Sequence, residues 1–374
     1  MSSRGYNAEF RSTLARVRAG DNVTRDDLAL LLEAPEGEAQ DVLHAVAYEV
    51  KSREVGRVVY LRGLIEMSNV CRRNCNYCGI RRDNRDVDRF TLTAKEIVAG
   101  AVRAHKFGYG SVVLQGGERQ DPGHIAFITD ILARIHAATR HELAITLSLG
   151  EQTEETYRRW REAGAHRYLL RMETTDADLY LALHPDDPDR ESRRRCLDFL
   201  RDEGYHVGTG VMIGLPGQTT QHLAEDLLFF RDQDVDMIGM GPFIPHDDTP
   251  LGGHAAGFDG DRQVQLGLNM IACTRLLLPN ANIASTTALQ ALHDRGRELG
   301  LLAGGNVIMP NVTDTKFRAA YQLYNGKPSL QENAAQTRLK LDAAIARIGE
   351  TIGYGEKGHA PRALTRRNET VLKD

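Results

Sequence analysis

The chain has few cysteines, little net charge and no long apolar run, and each shortage removes a class of protein. Five cysteines among 374 residues, three of them clustered, do not read as a disulfide framework; they point to metal chemistry in a reducing compartment. A formal charge of −4 leaves no basic footprint for nucleic acid and none for a membrane surface. No stretch is apolar enough to span a bilayer and no secretory leader is evident, so a cytoplasmic protein is expected. There is no internal repeat or low-complexity tract. Hydrophobic residues at 41% and charged residues at 26% suit a globular protein with a large core.

What is present is Cys71-x-x-x-Cys75-x-x-Cys78, with Tyr77 just before the last cysteine. Three thiolates at this spacing can hold three irons of a [4Fe–4S] cubane, leaving the fourth iron open to bind and break a small molecule. No fourth cysteine is near. Cys196, on a charged helix, and Cys273, inside the apolar run 270–278, read as buried inert thiols. Zinc is the competing occupant, but a structural zinc needs four closed ligands and the nearest histidine downstream is His105. Arg72, Arg73, Arg81, Arg82 and Arg85 crowd the same loop, an odd set for a zinc knuckle. Those arginines read as a solvated charge run, with docking of an acidic flavodoxin- or ferredoxin-like electron donor as the functional alternative.

Residues 1–57 read as an N-terminal helical extension, Thr24 capping a helix through Leu28–Leu32 and a second apolar stripe following at Val42, Leu43, Val46 and Ala47. From Val58 onward strand-like runs alternate with amphipathic helices. The strand candidates are 58–66, 111–114, 144–149, 168–172, 207–213, 237–240, 282–285 and 306–308, with helices expected at 94–108, 124–139, 153–163, 190–203, 219–233, 262–278 and 331–349. This pattern predicts one α/β domain over residues 58–354, a (β/α)8 TIM-type barrel whose active face lies at the C-terminal ends of the strands, where the cysteine loop follows the first. Residues 355–374 lack apolar periodicity and are expected to be a loosely ordered basic tail.

Other chemistry-bearing residues fall at the same ends. After the second strand comes Gln115-Gly116-Gly117-Glu118, whose glycines allow close backbone approach to a ligand or make an ordinary turn. The fourth strand ends in Arg171-Met172-Glu173-Thr174-Thr175; Arg171 can take a carboxylate bidentately, or Arg171 and Glu173 can form a plain rim ion pair. Thr146 and Ser148 interrupt the third strand and Thr286-Thr287 close the seventh, together suggesting a polar pocket, although core hydroxyls bonded to backbone explain each one singly.

The cysteine spacing with its aromatic residue resembles the signature of radical S-adenosylmethionine (SAM) enzymes. Ser68–Cys75, Tyr168–Thr174, Gly241–His246 and Asn306–Asn311 further resemble the HydE family of [FeFe]-hydrogenase maturases, relatives of biotin synthase and methylornithine synthase, over about Val58 to Gly326. The resemblance implies a [4Fe–4S] cluster on Cys71, Cys75 and Cys78, and SAM held by Tyr77, the segment 115–118, Ser148, Glu173 on the ribose, Arg193, Met212, Met237, Tyr321 and Tyr324. The segment 210–219 would pack on the adenine. The implied substrate pocket comprises Arg62, Thr146, Arg171, Thr286, Thr287 and Met309. It would receive an iron-bound cysteine or other sulfur-containing precursor, with an external electron donor, HydG and HydF as partners. A biotin-synthase-like or methylornithine-synthase-like reaction on a small amino or carboxylic acid, and a non-catalytic Fe–S carrier, are the alternatives. Some family members carry three further cysteines near the C-terminus; Pro328–Leu341 has none here, so a single cluster is expected.

Overall fold

The computed structural model describes residues 3–186, 189–328 and 330–371. Its strands are β1 (Val58–Ser68), β2 (Ser111–Gly116), β3 (Ala144–Ser148), β4 (Arg167–Leu169), β5 (His206–Thr209), β6 (Met212–Ile213), β7 (Met237–Ile238), β8 (Gly241–Pro242), β9 (Asn282–Ile283), β10 (Val307–Ile308) and β11 (Thr351–Ile352). The parallel order β10-β1-β2-β3-β4-β5-β7-β9, with a bridge between Ala284 and Val307 joining its two ends, is the expected TIM-type barrel. β6 and β8 form a short second pair above β5 and β7, so the run 207–213 is two strands interrupted at Gly210 and Val211 rather than one.

The helices between strands form for local reasons that the sequence states. Thr93, Thr153 and Thr219 each occupy an N-cap and accept from a backbone amide three residues on, and Thr93 and Thr219 complete capping boxes with Glu96 and His222. Helix Glu154–Glu162 buries Tyr157 and Trp160 along one stripe and turns its charged residues outward. The N-terminal helices Ser3–Ala19, Arg25–Leu32 and Glu38–Glu54 lie on the outside of the barrel. There Asn269 of helix Gly260–Leu277, fully buried, receives a bond from Gln40 Nε2 (3.0 Å) and donates to the carbonyls of Leu32 (3.1 Å) and Ala34 (3.0 Å).

The C-terminal segment departs from expectation. β11 pairs with the start of β1, and residues 355–359, expected to begin a loose tail, instead run on from it across the N-terminal end of the barrel. The Gly358 carbonyl accepts from Arg62 Nη2 (3.3 Å) and Asn282 Nδ2 (2.9 Å), and the Lys357 carbonyl from Arg167 Nη2 (2.6 Å). Helix Pro361–Val371 follows, with Arg362 and Arg366 ion-paired to Asp234. The missing apolar periodicity misleads because backbone carbonyls and ion pairs, not an apolar face, hold this segment.

Candidate functional site

At the C-terminal end of the barrel, residues 69–90 leave β1 and return at Thr91, whose antiparallel bridge to Ser68 closes the loop. The loop presses on the end of β2: Arg72 N donates to Glu118 O (2.9 Å) and Glu118 N to Cys71 Sγ (3.3 Å). Gly117 makes this approach possible, since a Cβ there would lie 2.3 Å from Val70 O and 2.7 Å from Cys71 Cβ. Burial pushes all three loop thiols up, Cys75 to about 12 with Arg193 opposing and Cys71 adding to the rise. Thiols so disposed ionise only against a strong local cation, as metal ligands do.

Behind the loop lies a network of buried charge. Arg73 Nε donates to Glu118 Oε1 (2.6 Å), Glu118 Oε2 accepts from Glu151 N (2.9 Å), and Glu151 Oε1 pairs with Arg193 Nε (3.0 Å) and Arg73 Nη2 (3.2 Å). Arg193 Nη1 reaches the Arg171 carbonyl (3.1 Å). Glu118 and Arg193, both expected near SAM, are thus tied into a brace joining the ends of β2, β3 and β4, and neither lines the cavity at this end of the barrel. Glu151 was missed. Its one signal is an acid directly after Gly150, where a Cβ would lie 2.4 Å from Glu118 Oε2.

Glu173 has φ +69°, a left-handed backbone rare for a residue with a side chain and associated with functional positions. A parallel bridge to Val211 holds it there, its N–H donating to Gly210 O (3.1 Å) and its carbonyl accepting from Met212 N (2.9 Å). Arg171 grips it: Nε lies 3.0 Å from each Glu173 carboxylate oxygen and Nη2 2.9 Å from Oε2, while Nη1 and Nη2 also reach the carbonyls of Gly239 (2.6 Å) and Val211 (2.9 Å). Most of the Arg171 fork is therefore already committed within the protein.

A cavity of about 230 Å³ opens at this end of the barrel. Tyr77, Gln115, Ser148, Arg171, Glu173, Met212, Thr286, Thr287, Met309 and Tyr324 are among the residues that line it. The sequence reading thus brings most of its candidates to one place. It missed Glu66, Arg297, Asn311 and Lys327, which also face the cavity. Arg297 is the most informative of these: its Nε has no partner, its Nη2 lies 3.4 Å from Thr287 Oγ1, and the neighbouring Thr286 Oγ1 is also unpartnered. Tyr321 is buried beside the cavity without lining it, its ring packed against Phe90. Neither Gly116 nor Gly117 lines the cavity: Gly116 faces Leu149 and the Ser68 backbone of β1, and Gly117 the cysteine loop.

Arg62, Thr146 and Met237 sit lower, around a small chamber of about 20 Å³ that shares Leu169, Gly239 and Met309 with the cavity above. Met237, expected near SAM, opens the two-residue β7 and lines the lower chamber, with its Sδ against Arg62 Nη1 (2.8 Å). The loop arginines are mostly neutralised: Arg82 pairs with Asp83 and Asp186, and Arg72 with Glu118.

The radical SAM superfamily profile matches residues 65–230. The [FeFe] hydrogenase maturase subunit HydE of Thermotoga maritima is 46% identical over 81% of this chain and 84% of its own length. The chain belongs to the HydE family. A 3-methylornithine synthase of Methanosarcina barkeri is 28% identical over 80% of this chain and 83% of its own length. The crystal structure of methylornithine synthase (PylB) superposes with a TM-score of 0.78, covering 92% of this chain and 98% of that one at 24% identity, a likeness of fold.

As a HydE-family member the protein is a radical SAM enzyme, with a [4Fe–4S] cluster and SAM as cofactors. Its residues fit the cluster. The sulfur donors lie on one loop, the Gly117 cradle admits that loop, and among the described residues no three His, Cys, Asp or Glu side chains converge closely enough to hold a single metal ion. Thiolates serving separate irons of a cubane need no such convergence. Among the described residues no helix is long and apolar enough to cross a membrane.

Proposed function

We propose that this enzyme acts in assembly of the [FeFe]-hydrogenase active-site cluster, on a small iron-bound cysteine or other sulfur-containing precursor held in the 230 Å³ cavity. One observation carries the reading: a single cavity runs from Tyr77 in the cysteine loop, past the Arg171–Glu173 pair, to unpartnered donors on Thr286 and Arg297. Cys71, Cys75 and Cys78 hold the cluster. Gln115, Ser148, Glu173 and Met212 receive SAM, Glu173 taking the ribose. Bound there, the two cofactors supply a 5′-deoxyadenosyl radical.

The chain's own residues then bind, orient and shield. With Arg171 engaged by Glu173 and two carbonyls, Thr286, Thr287 and Arg297 offer the open donors for a substrate carboxylate, a geometry in which arginine excels. Arg62 and Thr146 hold the deeper end of the substrate, and Met309, which lines both chambers, sits between them. The apolar wall of Leu64, Leu169, Pro242 and Phe243 keeps water from the reacting centre. HydG would provide the precursor and HydF accept the product, with a flavodoxin- or ferredoxin-like protein delivering electrons in the cytoplasm.

The test is anaerobic reconstitution followed by reduction in the presence of SAM, with 5′-deoxyadenosine measured first alone and then with the HydG product. Production that rises with the HydG product supports the reading. The 28% identity to a methylornithine synthase favours the second reading, a small amino acid as substrate. Turnover on such an acid, with no effect on hydrogenase maturation, would replace the first reading with that one.

A further inference from the structure

Residues 69–90 contain no helix and only the single-residue bridge at their exit, so the backbone order of the cysteine loop must come from elsewhere. One side chain holds much of it. Arg89 Nη1 donates to the carbonyls of Asn69 (2.6 Å) and Ile80 (2.8 Å), and Nη2 to those of Arg81 (2.5 Å) and Asn84 (3.0 Å). The span from Asn69 to Arg81 carries all three cysteines, and the Arg89 fork ties its beginning to its end. Asn69, fully buried, works from the opposite side: Nδ2 donates to Asp88 O and Ala320 O, both at 2.7 Å, and Oδ1 accepts from Phe90 N at 2.7 Å.

We propose that Arg89 and Asn69 are positioning residues for the iron–sulfur cluster, a clasp that holds the cysteine loop in its ligating shape before and after the cluster arrives. The proposal rests on the radical SAM reading of the cysteine trio. Both act on backbone that flanks the ligand segment, Arg89 on the carbonyls of residues 69, 80, 81 and 84 and Asn69 on Asp88, Phe90 and Ala320. A planar guanidinium can serve carbonyls in separate directions at once, which a lysine ammonium at the end of a flexible stem does not reproduce. Every Arg89 bond stays inside the loop, and its side chain is otherwise exposed. Its loss should therefore loosen the loop and leave the barrel intact.

The experiment compares the full-length protein with Arg89→Ala, Arg89→Lys and Asn69→Ala. In the metal-free proteins, iodoacetamide labelling of Cys71, Cys75 and Cys78 is followed by mass spectrometry against buried Cys196 and Cys273 as internal references. In the reconstituted proteins, cluster loss to an iron chelator and the EPR signal of the reduced cluster are recorded beside the thermal unfolding of the barrel. Arg89→Ala is expected to lose its cluster roughly tenfold faster or more, the effect of one charge-assisted bond. Its loop cysteines should label faster and its EPR signal broaden, with Cys196, Cys273 and the barrel transition unmoved and no rescue by lysine. Wild-type rates of loss and labelling in Arg89→Ala would overturn the clasp, as would full rescue by lysine or a barrel transition that falls together with the cluster. Should Arg89→Ala not fold, Arg89→Lys and Asn69→Ala decide by the same readings. A wild-type protein that takes up no cluster would instead overturn the radical SAM reading itself.

Discussion

Lys327 reaches from the segment that crosses the barrel mouth to Glu66 near the end of β1, and the pair is buried on both sides, at 11% and 2% side-chain exposure. Asn311 Nδ2 (2.9 Å) holds the other Glu66 oxygen, and Lys327 Nζ also bonds the Tyr321 carbonyl (2.7 Å). Burial pulls the Lys327 ammonium below its ordinary range while Glu66 holds it up. Replacing Lys327 with Met strands a carboxylate in the cavity wall. A loss of about 3–5 kcal/mol is expected, partly recovered when Glu66→Leu is added. Denaturant unfolding of the two single variants and the double variant measures it.

Asp226, fully buried in helix Thr220–Asp232, accepts from Thr175 N and Oγ1, both at 2.7 Å, while its Oδ2 has no partner. Burial raises its pKa to about 7, the Thr175 bonds opposing and Asp176 and Glu225 adding. The folded state therefore keeps the proton that the unfolded chain gives up near pH 4. Its contribution to stability is complete below that pH and is lost as the pH rises through about 7. Asp226→Asn keeps an acceptor for Thr175 and cannot ionise. Relative to wild type it should be near neutral at pH 4 and more stable by roughly 4 kcal/mol at pH 8. Equal midpoints at both pH values in denaturant titrations would contradict this.

Gly117→Ala puts a methyl against the backbone of Val70 and the Cβ of Cys71. Neither neighbour is a flexible side-chain end, so the cysteine loop must shift. The variant is expected to retain the barrel's unfolding transition yet take up substoichiometric iron on reconstitution, measured as iron and sulfide per chain.

Arg193→Met removes one cation from Glu151, which keeps Arg73 and the Ser192 hydroxyl (2.9 Å) as side-chain partners. A buried carboxylate left short of charge destabilises by several kcal/mol. Melting of the metal-free protein should therefore fall markedly, whereas Glu151→Gln with Arg193→Met should recover part of the loss.

The barrel was legible because most strand-like runs are short and apolar and alternate with amphipathic helices, and Thr93, Thr153 and Thr219 mark helix starts without tertiary help. The cysteine loop was legible because its chemistry depends on spacing alone. Depth was not. Met237 and Met309 look equivalent as methionines at strand ends, yet the former lines only the lower chamber and the latter both. Arg193 reads as one of several arginines on a charged helix, and only the fold shows that it turns inward to Glu151. Arg89 and residues 357–358 escaped because their bonds run through backbone carbonyls, as acceptors for Arg89 and as acceptors supplied by Lys357 and Gly358, and every residue has one.

The floor formed by residues 353–359 has a kinetic corollary. Arg62 and Arg167 are fully enclosed guanidiniums, and the carbonyls of Lys357 and Gly358 are among the few acceptors that reach them. Those groups meet only when distant stretches of polypeptide come together, as Val58 does with Thr351. A barrel finished this way has high contact order and should fold slowly. A nascent fragment stopping short of residue 357 would carry two cations with those carbonyls missing, so biogenesis of the apoprotein should show one late, cooperative closure rather than stepwise maturation of half-barrels.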